Sequence, residues 1–328
     1  MPAAETMRNI DFNEDLISGD LRPLAELVKD SEHLELCYRG NQNVITVYYK
    51  SHVVFKVLKY SEQYREKGKC KVFFNFGHAR YTEGWEESYE KLNKKLGFFH
   101  SSDKPEFDKK KDDKNIKSVI DGKDTSFWRE SEKIIKPLID DFFCTEKKKD
   151  WFKDESKATK NPLLEKIRQQ EIMTALKSTD TGYFVYDMEY AQKRSSKNEE
   201  TLGKPDMLAL KFESGKPKNI VLVEVKSTKK ACVGKYGVDA HFEAMNQYIQ
   251  CKEPADYIKI RKTEAVKIFN DYAKVGLRGL NDDNYLAITP DSLGVELLFI
   301  FTDGAIGQIN KNTVDHSFKK IFKDGALI

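Results

Sequence analysis

The clearest alternation of apolar and polar positions lies in residues 204–228, KPDMLALKFESGKPKNIVLVEVKST, where two apolar runs flank a turn-rich centre. Residues 207–212 predict one strand and 220–227 a second, with Ser214, Gly215 and Pro217 supplying turn chemistry between them. Side chains of a strand alternate between faces. In the second run Val221, Val223 and Val225 form one wholly apolar face, while the other starts with Ile220 and Leu222 and ends in Glu224 and Lys226. Such a strand is central in its sheet and opens at its far end into a cleft. A turn centred on Gly215 sets Asp206 opposite Glu224, and one centred on Lys216 sets it opposite Lys226. Either register gathers two carboxylates and an ammonium at one end of the sheet.

Around this hairpin, residues 162–176 predict a helix with Asn161 as cap and Pro162 in the first turn. Residues 183–190 (YFVYDMEY) predict a strand, 239–249 a second helix and 295–301 (VELLFIF) a later strand. The first part of the chain is patterned differently. A helical stretch at 20–30 precedes LELCYR, VITVYY and VVFKVL, joined by short connections, which predict a compact antiparallel meander with KVFFNF at 71–76 as a fourth strand. Alternation places several of its aromatic residues, among Tyr38, Tyr48, Tyr49 and Phe55, in a core, although exposed rings there would suit base stacking. Residues 101–124, SSDKPEFDKKKDDKNIKSVIDGKD, mix charges of both signs at low hydrophobicity and read as an exposed linker. A helix broken or restarted at Pro137 is expected at 131–143. The expected division is therefore an N-terminal α/β domain, 1–125, ending in that linker, and a second domain, 126–328.

Composition narrows the function classes. With 328 residues and 39% apolar content, including 20 Phe and 15 Tyr, the chain can bury two cores. A net charge of +3 gives no global basic field, so any nucleic-acid patch must be local. The five cysteines are scattered without a CxxC pair, which argues against structural zinc and for a reducing compartment. No apolar leader and no run of membrane-spanning length occurs, so a cytoplasmic protein with no membrane partner is expected. A phosphate loop of the GxxxxGK[ST] type is absent from the sequence.

The charged end of the 220–227 strand carries the candidate chemistry. An acid and a lysine ending a nearly apolar strand are costly to desolvate unless they pair or coordinate something. Two carboxylates suit a hard, oxygen-loving cation, and a neighbouring ammonium can orient water or stabilise phosphate charge. A plain salt bridge of Asp206 or Glu224 with Lys226 or Lys204 is the non-catalytic alternative.

Pro205-Asp206 followed by Glu224-Val225-Lys226 resembles the signature of the PD-(D/E)XK nuclease superfamily. That superfamily's core runs helix, three-stranded meander, helix, strand, which is the order expected across 160–305. The resemblance implies an α/β fold of α+β mixed-sheet type, a restriction-endonuclease-like core beside a smaller N-terminal domain containing the antiparallel β-meander. It implies a divalent-metal-dependent nuclease, acting first of all on DNA, in which Asp206 and Glu224 hold Mg²⁺ or Mn²⁺ and Lys226 positions or deprotonates a water. A further acid from the leading helix would be Glu165 or Glu171. Asp187 and Glu189 fall on one side of the 183–190 strand, where either can face the cleft. Lys229, Lys230 and Lys235 precede the second helix, where basic residues can grip phosphates, and His241 is the polar residue that helix would add. A glutamine followed four residues later by tyrosine, the pattern of one large branch, is absent. That leaves open a catalytically inactive nuclease-fold module binding nucleic acid or a protein partner, and a homodimer is compatible with either reading.

Overall fold

A computed structural model of the chain describes residues 12–19, 21–31, 34–39, 44–49, 52–58, 70–74, 116–120, 162–188, 205–250 and 257–328. Two compact units divide between Asp150 and Trp151, so the expected boundary after residue 125 falls inside the first. The helix expected at 131–143 and Glu189 lie outside the described residues.

In the first unit, short helices α1 (Asn13–Ile17) and α2 (Arg22–Asp30) precede β1 (Leu34–Arg39), β2 (Val44–Tyr49), β3 (His52–Leu58), β4 (Cys70–Phe74) and β5 (Ile116–Ile120). The strands pair antiparallel in sequence order, the expected meander extended by one strand. β5 corrects the linker expectation, because it lies within 101–124 yet pairs with β4. Three apolar residues, Ile116, Val119 and Ile120, sit in a segment whose average is dominated by lysine and aspartate. Pro23, Leu24, Ala25, Leu27 and Val28 of α2 are buried, as are Tyr38 and Tyr48 at 2% exposure. The Tyr38 hydroxyl donates to Asn13 Oδ1 at 3.3 Å, tying β1 to α1. Those two rings belong to the core and are closed to base stacking.

The second unit is built on a six-stranded mixed sheet. Helix α3 (Pro162–Ala175) leads into β6 (Tyr183–Met188), β7 (Met207–Glu213) and β8 (Lys216–Lys226). After these come α4 (Val238–Gln250), α5 (Tyr257–Val275), β9 (Gly294–Phe301), β10 (Lys319–Lys323) and β11 (Ala326–Leu327). Strand order is β11-β10-β9-β8-β7-β6. β6, β7 and β8 form an antiparallel meander, β9 and β10 run parallel to β8, and β11 turns back. α5 has no counterpart among the elements expected from the sequence. Its buried face includes Arg261, Glu264, Asn270 and Asp271, so no clean apolar stripe marks it.

Register in the β7–β8 hairpin follows from its turn. Ser214 and Gly215 both have positive φ, 50° and 74°, the twist that two-residue hairpin turns favour. This turn pairs Glu213 with Lys216 and Phe212 with Pro217. Lys218 is then left over, and Lys211 pairs with Asn219, Leu208 with Leu222 and Met207 with Val223. The extra residue moves every later pair by one, which in a strand exchanges the two faces. The result is the register expected for a turn centred on Gly215, with Asp206 arriving at the level of Glu224.

Phe184 and Phe212 pack edge-on or tilted against Phe269 of α5 with centroids 4.9 and 5.5 Å apart. Phe299 of β9, the parallel partner of Glu224, meets Phe242 of α4 at 6.4 Å. α4 and α5 thus cover the sheet face on which Glu224 and Lys226 lie, and α3 packs against β6 and β8.

Candidate active site

The site forms at the carboxyl ends of the parallel strands β8 and β9, the end of an open sheet at which ligands bind in α/β proteins. Glu224 and Lys226, two apart on β8, point to one face and are 4% and 3% exposed. Lys226 Nζ donates to Glu224 Oε1 at 2.8 Å. His241, one turn into α4, bonds the same Oε1 through Nδ1, and its Nδ1 lies 3.4 Å from Lys226 Nζ. Asp206, just before β7, is partly buried and accepts the Val225 N–H on Oδ2 at 2.7 Å. One backbone donor of β8 thus locks Asp206 beside the Glu224–Lys226 pair.

Electrostatics sorts the two acids. Burial pushes the Asp206 carboxyl well above its ordinary value, and the charges of Glu224 and Glu165 add to the rise, outweighing the Val225 N–H and the Lys226 charge. Burial pushes Glu224 up as well, but the His241 hydrogen bond and the Lys226 charge outweigh it and hold that carboxyl below its ordinary value. Asp206 is the acid left without enough positive charge.

The two acids of α3 differ in their surroundings. Glu165 acts on Asp206 and takes a 3.5 Å hydrogen bond from Gln169 Nε2. Glu171 is exposed and bonded to Arg168 Nη1. Six residues apart, the two acids point roughly 120° apart around the helix, so only one can face the site. Asp187 is fully buried in β6 and pairs with Leu208, in the row of Leu222. Lys229, Lys230 and Lys235 are exposed on the turns between β8 and α4.

Arg168 and Asp303 are site-bordering residues that no sequence motif marks. Arg168 Nε and Nη2 donate to Asp303 Oδ2 and Oδ1 at 2.7 and 2.8 Å, joining α3 to the turn after β9.

Asp206 and Glu224 offer carboxylate oxygens of the kind a hard cation takes, and Glu165 acts on Asp206 through its charge. Among the described residues no group of three or more His, Cys, Asp or Glu side chains is already gathered to hold a metal ion. Lys226 and His241 both engage Glu224 through Oε1, so a cation would be taken on the Oε2 side of that carboxylate. The surroundings of Asp206 disfavour its charged form, and such an ion would offset that. Also among the described residues, no helix is long and apolar enough to cross a membrane. No family model matches the chain, and comparison with curated proteins and with solved structures finds no match.

Proposed function

We propose that the second unit is a divalent-cation-dependent phosphodiester hydrolase, a nuclease acting on DNA. The observation that carries this reading is the meeting of Asp206, Glu224 and Lys226 at one sheet end, with Glu165 in electrostatic reach. Support for kinship with the PD-(D/E)XK superfamily comes from the element order, α3, the β6-β7-β8 meander, α4, then β9 parallel to β8. The intervening α5 is an addition to that order.

Asp206 and Glu224 would hold Mg²⁺ or Mn²⁺, joined by Glu165. When bound, such an ion polarises a phosphoryl oxygen and acidifies a water. Lys226 neutralises Glu224 and, as an ammonium with three donors, orients the attacking water or stabilises charge developing on phosphate. The Val225 N–H fixes one oxygen of Asp206 and so limits its rotation. His241 shares Glu224 with Lys226 through Nδ1, and its half-buried ring leaves Nε2 as the nitrogen that would meet substrate.

The pairing already present around Glu224 favours a second reading, a nuclease-fold module that binds without cleaving. Labelled single- and double-stranded DNA and RNA, each incubated with Mg²⁺, Mn²⁺ or EDTA, separates the two. Cleavage with metal and none in EDTA is expected. Binding without cleavage on every substrate would select the module.

A further inference from the structure

The path from Lys226 to Glu165 passes through a second, more exposed set of contacts. The Lys226 carbonyl accepts the Thr302 N–H at 2.8 Å, and Thr302 Oγ1 donates to Asp303 Oδ2 at 2.9 Å. Both Asp303 oxygens then receive the Arg168 guanidinium, on the helix turn that follows Glu165. Asp303 makes these bonds from a left-handed backbone, φ 48°, which a non-glycine residue enters at some cost. A planar, two-point Arg–carboxylate contact fixes orientation as well as distance. It therefore ties the helix turn after Glu165 to the turn after β9, adding to the buried Ile172, Met173 and Leu176 that set the rotation of α3.

We infer that Arg168 and Asp303 are a positioning clamp for divalent-cation binding, holding Glu165 toward Asp206 from the turn that also anchors the end of β8. The inference rests on the proposed nuclease reading. Arg168 and Asp303 are 29% and 34% exposed in their side chains, and ion pairs so open to solvent contribute little to stability. A purely structural pair, when removed, would change cation binding only in step with metal-free stability.

The test uses the full chain with Mn²⁺ alone as probe, measured by calorimetric titration beside metal-free melting curves. The variants are Arg168→Gln, Arg168→Lys and Asp303→Gly. Glycine suits the left-handed φ, so Asp303→Gly removes the clamp without adding strain. Arg168→Gln and Asp303→Gly are expected to weaken Mn²⁺ binding by about tenfold or more, the range for groups that orient metal ligands. Arg168→Lys should fall between them and the wild type, and none should lose more than a few degrees of metal-free Tm. Unchanged Mn²⁺ affinity in both strong variants, with binding intact in the wild type, would overturn the clamp. So would loss of binding in Asp303→Gly alone, which would make Asp303 a ligand, or parallel loss of Tm and affinity, which would make the pair structural. A wild-type protein that binds no Mn²⁺ would overturn the nuclease reading and the clamp with it.

Discussion

Lys226 and Glu224, two residues apart on one face of β8, form an ion pair at 2.8 Å with both side chains buried. Desolvating two charges costs several kcal/mol each, and their attraction only about offsets this, so a buried pair is weak support for a stabilising role. Hydrophobic residues continuing the pattern of Ile220 and Leu222 would serve the core at least as well. The pair makes physical sense as equipment for a charged ligand.

Replacing Lys226 with methionine keeps most of the apolar stem and removes the ammonium. Glu224 then faces only His241, and the metal-free protein should lose up to about 3–5 kcal/mol, the cost of breaking a buried pair. Mn²⁺ should recover more stability in Lys226→Met than in the wild type, since it replaces the missing charge. Melting curves with and without Mn²⁺ measure this; equal Mn²⁺ shifts in the two proteins would contradict it.

Asp206 makes the opposite prediction. Its folded-state pKa is raised, so the folded protein holds the proton more tightly than the unfolded chain. Its contribution to stability is full below the unfolded value, about pH 4, and is lost as pH rises toward the folded value. Glu224, held low, runs the other way: its contribution is present above the unfolded value and lost as pH falls. Asp206→Asn keeps an acceptor for the Val225 N–H while removing the charge. Metal-free Asp206→Asn should therefore melt above the wild type at neutral pH, by roughly 2–4 °C per kcal/mol relieved, with the gap closing near pH 4. Thermal scans across that range check it, and a lower Tm at neutral pH would mean that the Asp206 charge is already compensated.

Glu165→Gln and Glu171→Gln form a matched pair on one helix. Loss of Glu165 should weaken Mn²⁺ binding by about tenfold, because cation affinity follows the charge of the donor set. Glu171→Gln should stay within about twofold of wild type. Calorimetric titration of both variants distinguishes them, and the reverse ranking would place the other face of α3 toward the site.

Much of this site could be read from alternation along β8, because Val221, Val223 and Val225 on one side leave Glu224 and Lys226 together on the other. What alternation could not supply was register. Both turn centres were compatible with the residues, and the choice rests on positive φ at Ser214 and Gly215 together with the unpaired Lys218, which are properties of the folded backbone. Glu165 and Glu171 are equivalent in the sequence for the same reason, since helix rotation depends on how Ile172, Met173 and Leu176 pack in the folded core. α5 carries no legible apolar stripe because it buries an Arg261–Glu264 pair at 2.7 Å where an amphipathic helix would present leucine. β5 was hidden by averaging over charged neighbours.

Single-turnover cleavage of labelled DNA by the wild type and Lys226→Met, at saturating Mn²⁺ and again in EDTA, confronts the proposed chemistry. Lys226→Met is expected to cleave on the order of 10²-fold more slowly or less, with Mn²⁺ affinity unchanged or tighter, because the ammonium acts on water or phosphate and not as a ligand. EDTA should abolish cleavage by the wild type. Undiminished cleavage in EDTA, or wild-type rates from Lys226→Met, would contradict the mechanism.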